Sequence, residues 1–138
     1  LGLSARVSFV PAPDADALVR LYQDAAVFAL PSDEEGLGVV ILEAMACGVP
    51  VVSTRSGGPD GIISDGADGY LVALDDAPAM AGRLARLLTD GDHKLRMGEA
   101  ARATILRRYE EGVTGQAFLE MYDELLSRRK VGSLACTG

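Results

Sequence analysis

Two glutamates bracket a glycine turn and an apolar helix in the string Glu35-Gly-Leu-Gly-Val-Val-Ile-Leu-Glu43. Gly36 and Gly38 flank Leu37 directly ahead of the helix, and small residues there let the N–H groups of residues 36–39 approach an oxyanion closely. The helix start adds roughly half a positive charge, which favours a phosphate. The same glycines also suit a plain strand-to-helix turn, and both readings stand. Glu43 is the only polar residue in Val39–Cys47 apart from the thiol, and a carboxylate buried without a hydrogen bond is costly. It lies about 7–8 Å along the helix from Gly38, at ~1.5 Å per residue. That spacing suits a carboxylate accepting from ribose hydroxyls while a diphosphate rests at the helix start. Alternatively, Glu43 marks the helix's one solvated stripe. Glu35 closes an acidic run with Asp33 and Glu34. Such a run is ordinarily a solvated loop, but Glu35 adjoins the glycines and so can face whatever binds there.

The surrounding elements must hold this loop at one edge of a sheet. Val7–Val10 reads as a short strand stopped by Pro11 and Pro13. A helix capped by Asp14 or Asp16 runs to about Asp24, with Ala17, Leu18, Leu21 and Tyr22 inward. Val27–Leu30 is a strand closed by Pro31. After the glycine turn, a helix runs from about Gly38 to Cys47, with Gly48 as its left-handed terminal residue and Pro50 barring continuation. Pro50–Thr54 is a buried strand. The Gly57-Gly58-Pro59 turn leads to a helical piece around Gly61–Ser64, and Tyr70–Leu74 is the last strand. Helices follow from Asp75 or Asp76 to Thr89, with Met80, Leu84, Leu87 and Leu88 inward, from Asp92 to Arg108, and from Val113 to Ser127. Short strands that are apolar throughout, alternating with helices, define an α/β protein with a Rossmann-like parallel sheet of about four strands, covered by helices on both faces. Ligands of such sheets sit at the carboxyl ends of the strands, where the Pro31–Gly38 and Thr54–Gly58 loops lie.

The 138 residues suit one domain with a core, 49% of them hydrophobic and 24% charged. A net charge of −7 argues against nucleic acid as a partner. No apolar run reaches the length of a membrane span. Cys47 and Cys136 suggest no disulfide framework, which fits a reducing, cytoplasmic setting. His93, the only histidine, reads as solvent-facing, and no cluster of metal ligands stands out. Residues 129–138 are expected to be a disordered tail. The first residue is Leu, and a strand pattern begins almost at once. The expectation is therefore a piece of a longer chain.

The string from Glu35 to Glu43 matches the E-x7-E motif of retaining glycosyltransferases with the two-domain GT-B fold. Its flanks agree: Pro31-Ser32 before it, Ala44-Met-Ala-Cys-Gly-Val-Pro-Val-Val52 after it, then Gly57-Gly58-Pro59-Asp60, Asp65-Gly66 and Gly69-Tyr-Leu-Val72. Residues 1 to about 126 resemble the "glycosyl transferases group 1" family, family 4 of the retaining enzymes. Residues 1–128 would then be part of the C-terminal, donor-binding domain. By that resemblance, Glu43 binds the ribose hydroxyls of a nucleotide sugar and Glu35 holds the donor sugar near the reacting carbon. Backbone amides of Gly36, Leu37, Gly38 and Val39 hold the diphosphate. The sugar moves to an acceptor with retention of configuration, with no cofactor and no metal.

A diphosphate site also wants a cation. Between Arg20 and Arg83 the only basic residue is Arg55. Arg55, with Gly57 and Gly58, is a possible further contact, although a solvent-facing Arg55 is the simpler reading. The family's own clamping Arg and Lys would fall before residue 1, as would the acceptor domain, so the chain alone is expected to be inactive. Any peripheral membrane association would run through that missing part. Pro11 departs from the family's usual Gly, which puts the base contact in doubt, and Asp60 replaces the commoner Glu. Phe118, Met121, Tyr122 and Leu125 would lose cover without the missing domain and are expected to form an exposed apolar patch. Two other readings differ in class. One is a nucleotide or nucleotide-sugar binding module without transfer chemistry, which the pair Glu35 and Glu43 disfavours. The other is an isomerase or phosphorylase on the same fold; a phosphorylase would need a cofactor-bearing lysine, and the central stretch has none.

Overall fold

The computed structural model describes residues 2–110 together with residues 112 and 116. The chain divides into two compact units, Leu1–Arg102 and Ala103–Gly138. The first holds the sheet and every candidate site residue. In the second, the described residues are the last turns of a helix and a short continuation, with the Arg108 guanidinium 5.2 Å from the centre of the Tyr109 ring.

The first unit opens with a 3-10 turn over Ser4–Arg6. It then runs α1 (Ala15–Asp24), β1 (Phe28–Leu30), α2 (Val39–Ala46), β2 (Val51–Thr54), α3 (Gly58–Ile62), β3 (Tyr70–Val72), α4 (Ala77–Thr89) and the start of α5 (Gly91–Arg108). The helix starts follow from local chemistry. Asp14 accepts from the Ala17 amide at 2.8 Å, and Asp76 accepts from Ala79 at 2.9 Å; each satisfies an orphan donor of the first turn. Gly48 ends α2 at φ +75°, as its position before Val49-Pro50 implies.

The three strands form one parallel sheet in the order β1-β2-β3. Phe28 stands opposite Val51, and Val52 opposite Tyr70. Successive strand residues point to opposite faces, and Val51, Val52, Ser53 and Thr54 are all buried. Both faces of β2 are therefore covered: Val51 and Val52 are apolar, and the buried Ser53 and Thr54 hydroxyls bond backbone carbonyls of the neighbouring segment. On one face Val52 and Tyr70 pack with Leu87 of α4 and Met97 of α5, supported by Val27, Met80 and Leu84. Ile41, Ala44 and Met45 of α2 are fully buried, and α2 lies against β1 and β2.

Several expectations need adjustment. The sheet has three strands among the described residues rather than about four, because Val7–Val10 is not in a ladder. A strand exists only by pairing, and β-prone residues without a partner do not make one. Phe9 is accordingly 92% exposed, with Val7 and Val10 also exposed. α3 begins at Gly58, three residues before the expected start. Pro59 suits a first helical turn, where its missing N–H costs nothing. The last strand stops at Val72, and Leu74 is exposed. Leu21 and Leu88 are exposed too, so α1 and α4 bury narrower stripes than their periodicity implied. His93 is half-buried rather than bland: its Nε2 lies 2.8 Å from the Tyr70 hydroxyl, and the Arg83 guanidinium stacks 4.5 Å over that same ring. Apart from residue 116, the expected Val113–Ser127 helix lies outside the described residues, as do the patch at Phe118, Met121, Tyr122 and Leu125 and the tail.

Candidate functional site

The loops after β1 and β2 are stitched together at the carboxyl edge of the sheet. The Glu35 amide donates to the Ser56 carbonyl at 2.9 Å, and the Gly58 amide donates to the Glu35 carbonyl at 2.7 Å. These bonds make a parallel bridge between Glu35 and Gly57. The Thr54 hydroxyl adds a bond to the Ser32 carbonyl, and the Ser53 hydroxyl bonds the Leu30 carbonyl at 3.1 Å. The backbone of the glycine turn is thus held by the neighbouring loop.

Contact here is closest at Gly58. A Cβ on that residue would lie 2.7–2.8 Å from the Leu37 Cα, C and O atoms. Only a glycine lets the two loops meet at that distance. Gly38 supplies the other special conformation. It is the N-cap of α2 with φ +82°, a left-handed geometry costly for residues with a Cβ. Gly57 and Gly58 therefore shape the turn that carries Gly36, Leu37, Gly38 and Val39.

The two glutamates occupy different settings. The Glu35 side chain curls back so that Oε1 accepts from the Gly38 amide at 3.2 Å. It is a carboxylate at a helix start, the arrangement that the helix dipole favours. Glu43 lies on α2 and turns toward α1. Its Oε2 accepts from the Tyr22 hydroxyl at 3.0 Å, so it is not simply the solvated stripe of the helix. Burial pushes the Tyr22 phenol up to about 12, with the Glu43 hydrogen bond and its charge adding to the rise. At neutral pH the hydroxyl therefore keeps its proton and donates. Glu43 also lines a cavity of about 270 Å³ between the two helices, together with Ala15, Leu18, Val19, Tyr22, Ala46 and Cys47. A second cavity of about 260 Å³ opens at the strand ends toward α4, walled by Pro31, Asp33, Thr54, Asp75, Asp76 and Met80.

Arg55 has a defined position. One guanidinium nitrogen lies 3.2 Å from the Asp60 carboxylate and another lies 3.2 Å from Asp65. Asp65 also accepts from the Leu71 amide at 3.1 Å, and Asp60 from the Gly57 amide at 3.2 Å. The arginine is half exposed, so these pairs contribute little to stability. Their geometric effect is to brace the turn from Thr54 to Gly58 against α3 and β3. Two participants went unassigned in the sequence: Tyr22, which read as a core residue of α1, and Asp65, which read only as part of a flanking motif. A phenol on the inward face of a helix, wanting a polar partner, was the available signal for Tyr22.

A parallel α/β sheet with flanking helices and a glycine turn at its strand ends is here the fold of a GT-B glycosyltransferase domain. Residues 1–104 match the family model described as glycosyl transferases group 1, and the chain belongs to that family. It is 40% identical over 125 residues to a D-inositol 3-phosphate glycosyltransferase of Corynebacterium urealyticum, covering 91% of this chain and 29% of that protein. It is 33% identical over 134 residues to an N-acetyl-alpha-D-glucosaminyl L-malate synthase of Bacillus anthracis, covering 97% of this chain and 35% of that one. Sucrose-phosphate synthase from Thermosynechococcus elongatus superposes with a TM-score of 0.83 at 31% identity, over 91% of this chain and 32% of the other. Anabaena HepE, solved in complex with UDP-glucose, superposes with a TM-score of 0.81 at 26% identity, over 90% of this chain and 34% of the other. The chain thus spans about a third of the length of these relatives. No helix among the described residues is long and apolar enough to cross a membrane.

Proposed function

We propose that this chain is the donor-binding part of a retaining glycosyltransferase. It takes a nucleoside diphosphate sugar, with uridine as the base, and works with an acceptor-binding domain elsewhere in the full-length protein. The uridine assignment draws on HepE, which was solved with UDP-glucose. The carrying observation is the placement of one carboxylate in the loop ahead of a short helix and of the other on the helix itself. Glu35 sits at its start, on the Gly38 amide, and Glu43 lines the cavity beside it.

In this reading the diphosphate rests on the amides of residues 36–39 and takes over the Gly38 N–H. The Glu35 carboxylate is thereby released toward the hydroxyls of the donor sugar. Glu43 accepts from the ribose hydroxyls. The bond from the anomeric carbon to the diphosphate oxygen then breaks, the acceptor oxygen takes its place on the same face, and the acceptor's proton passes to the departing diphosphate oxygen. Negative charge grows on the departing diphosphate, where preorganised N–H donors and the helix end stabilise it. No metal takes part. Arg55 is engaged by Asp60 and Asp65 and is not assigned as the diphosphate's cation. Arg55, Gly57 and Gly58 serve the donor by shaping its loop.

The test is the anomeric configuration of the sugar transferred from UDP-glucose by the full-length protein, read from the proton coupling at the anomeric carbon. An α-linked product is expected, and a β-linked product contradicts the proposal.

A further inference from the structure

Tyr22 is 7% exposed, and its ring meets Phe28 edge-on at a centroid distance of 5.6 Å. Phe28 belongs to β1, so the phenol is referenced to the sheet rather than to α1 alone. Its hydroxyl donates to Glu43 Oε2 at 3.0 Å across 21 residues of sequence. A glutamate on a helix face otherwise samples many rotamers, and fixing one costs side-chain entropy. Tyrosine has two torsions, and here the aromatic contact holds its ring. A carboxylate offers about four lone-pair sites. Tyr22 occupies one, on Oε2, and the Glu43 side chain lines the cavity.

We propose that Tyr22 is a positioning residue that presents Glu43 to the two vicinal hydroxyls of the donor's ribose, a role that rests on the reading of Glu43 given above. The phenol fixes one carboxylate oxygen so that the pair of oxygens meets the diol in a single orientation. A tyrosine that merely satisfies its own buried hydroxyl predicts no effect tied to the ribose, which separates the two roles.

The experiment uses the full-length protein and two probes, UDP and 2′,3′-dideoxyuridine diphosphate, titrated calorimetrically. Tyr22→Phe keeps the ring and its contact with Phe28 and removes only the hydroxyl. It is expected to weaken UDP about five- to tenfold, the worth of one hydrogen bond, and to leave the dideoxy probe within about twofold. Glu43→Ala is expected to abolish the preference for UDP over the dideoxy probe, and adding Tyr22→Phe to it is expected to change nothing further. If Glu43→Ala abolishes the preference while Tyr22→Phe leaves it intact, the positioning role is overturned and the ribose reading stands. Equal weakening of both probes by Tyr22→Phe also overturns the positioning role in favour of a structural one. A preference that survives Glu43→Ala overturns the ribose reading itself, and the role of Tyr22 with it.

Discussion

Glu35→Ala in the full-length enzyme is expected to lower kcat at least about 100-fold while the donor affinity stays within about threefold. The asymmetry follows from where the carboxylate sits. Glu35 Oε1 accepts from the Gly38 amide, 3.2 Å away. In the proposed mechanism that amide belongs to the diphosphate, so Glu35 competes with the donor before serving it. Removing the side chain frees the amide for phosphate and offsets the lost sugar contact in binding. Nothing offsets the loss in the reacting complex, where removal of one preorganised polar group typically costs about 100- to 1,000-fold. Steady-state kinetics beside a UDP titration check this. Equal losses in kcat and affinity would show that Glu35 acts in ground-state binding alone.

Gly58→Ala is expected to carry the second large effect, on both stability and donor binding. The added Cβ would lie 2.7–2.8 Å from three Leu37 atoms, two of them backbone carbonyl atoms and the third its Cα. No rotamer change relieves a clash with main chain, so the loops must part. Overpacking of this kind costs about 1–3 kcal/mol. Parting them stretches the 2.7 Å bond from the Gly58 amide to the Glu35 carbonyl and carries the amides of residues 36–39 away from their mutual geometry. UDP affinity should fall at least about tenfold, since several charge-assisted bonds worsen together. Thermal melting and calorimetry of the variant check both effects. An unchanged midpoint with unchanged UDP affinity would contradict the close approach of the two loops.

The parts of the structure legible in the sequence were those written locally. α2 could be placed because Gly38, Gly48 and Pro50 signal its ends within a few residues of them. The capping aspartates of α1 and α4 were legible for the same reason. What could not be read depends on partners far along the chain. Val7–Val10 has the composition of a strand, but pairing is a property of two segments. The Tyr22–Glu43 bond joins residues on different helices, and nothing in either neighbourhood announces the other. Likewise, Arg55 is exposed as its sequence position implied, but its ion pair with Asp65, ten residues on, could not be read, because Asp65 reaches it only after α3 turns the chain back. The early start of α3 is a local signal with two meanings, since Pro59 suits a helix start as well as a turn. The setting of His93 is nonlocal, since its partner Tyr70 lies on a strand.

The central claim is that Glu43 holds the nucleotide of a sugar donor through its ribose. Its most direct test is calorimetric titration of UDP into the full-length protein carrying Glu43→Ala. The account predicts a loss of at least about tenfold in affinity, in line with removing a charged hydrogen-bond acceptor, together with a lowered melting midpoint, because the buried Tyr22 hydroxyl loses its acceptor. UDP affinity equal to that of the unaltered protein would contradict it.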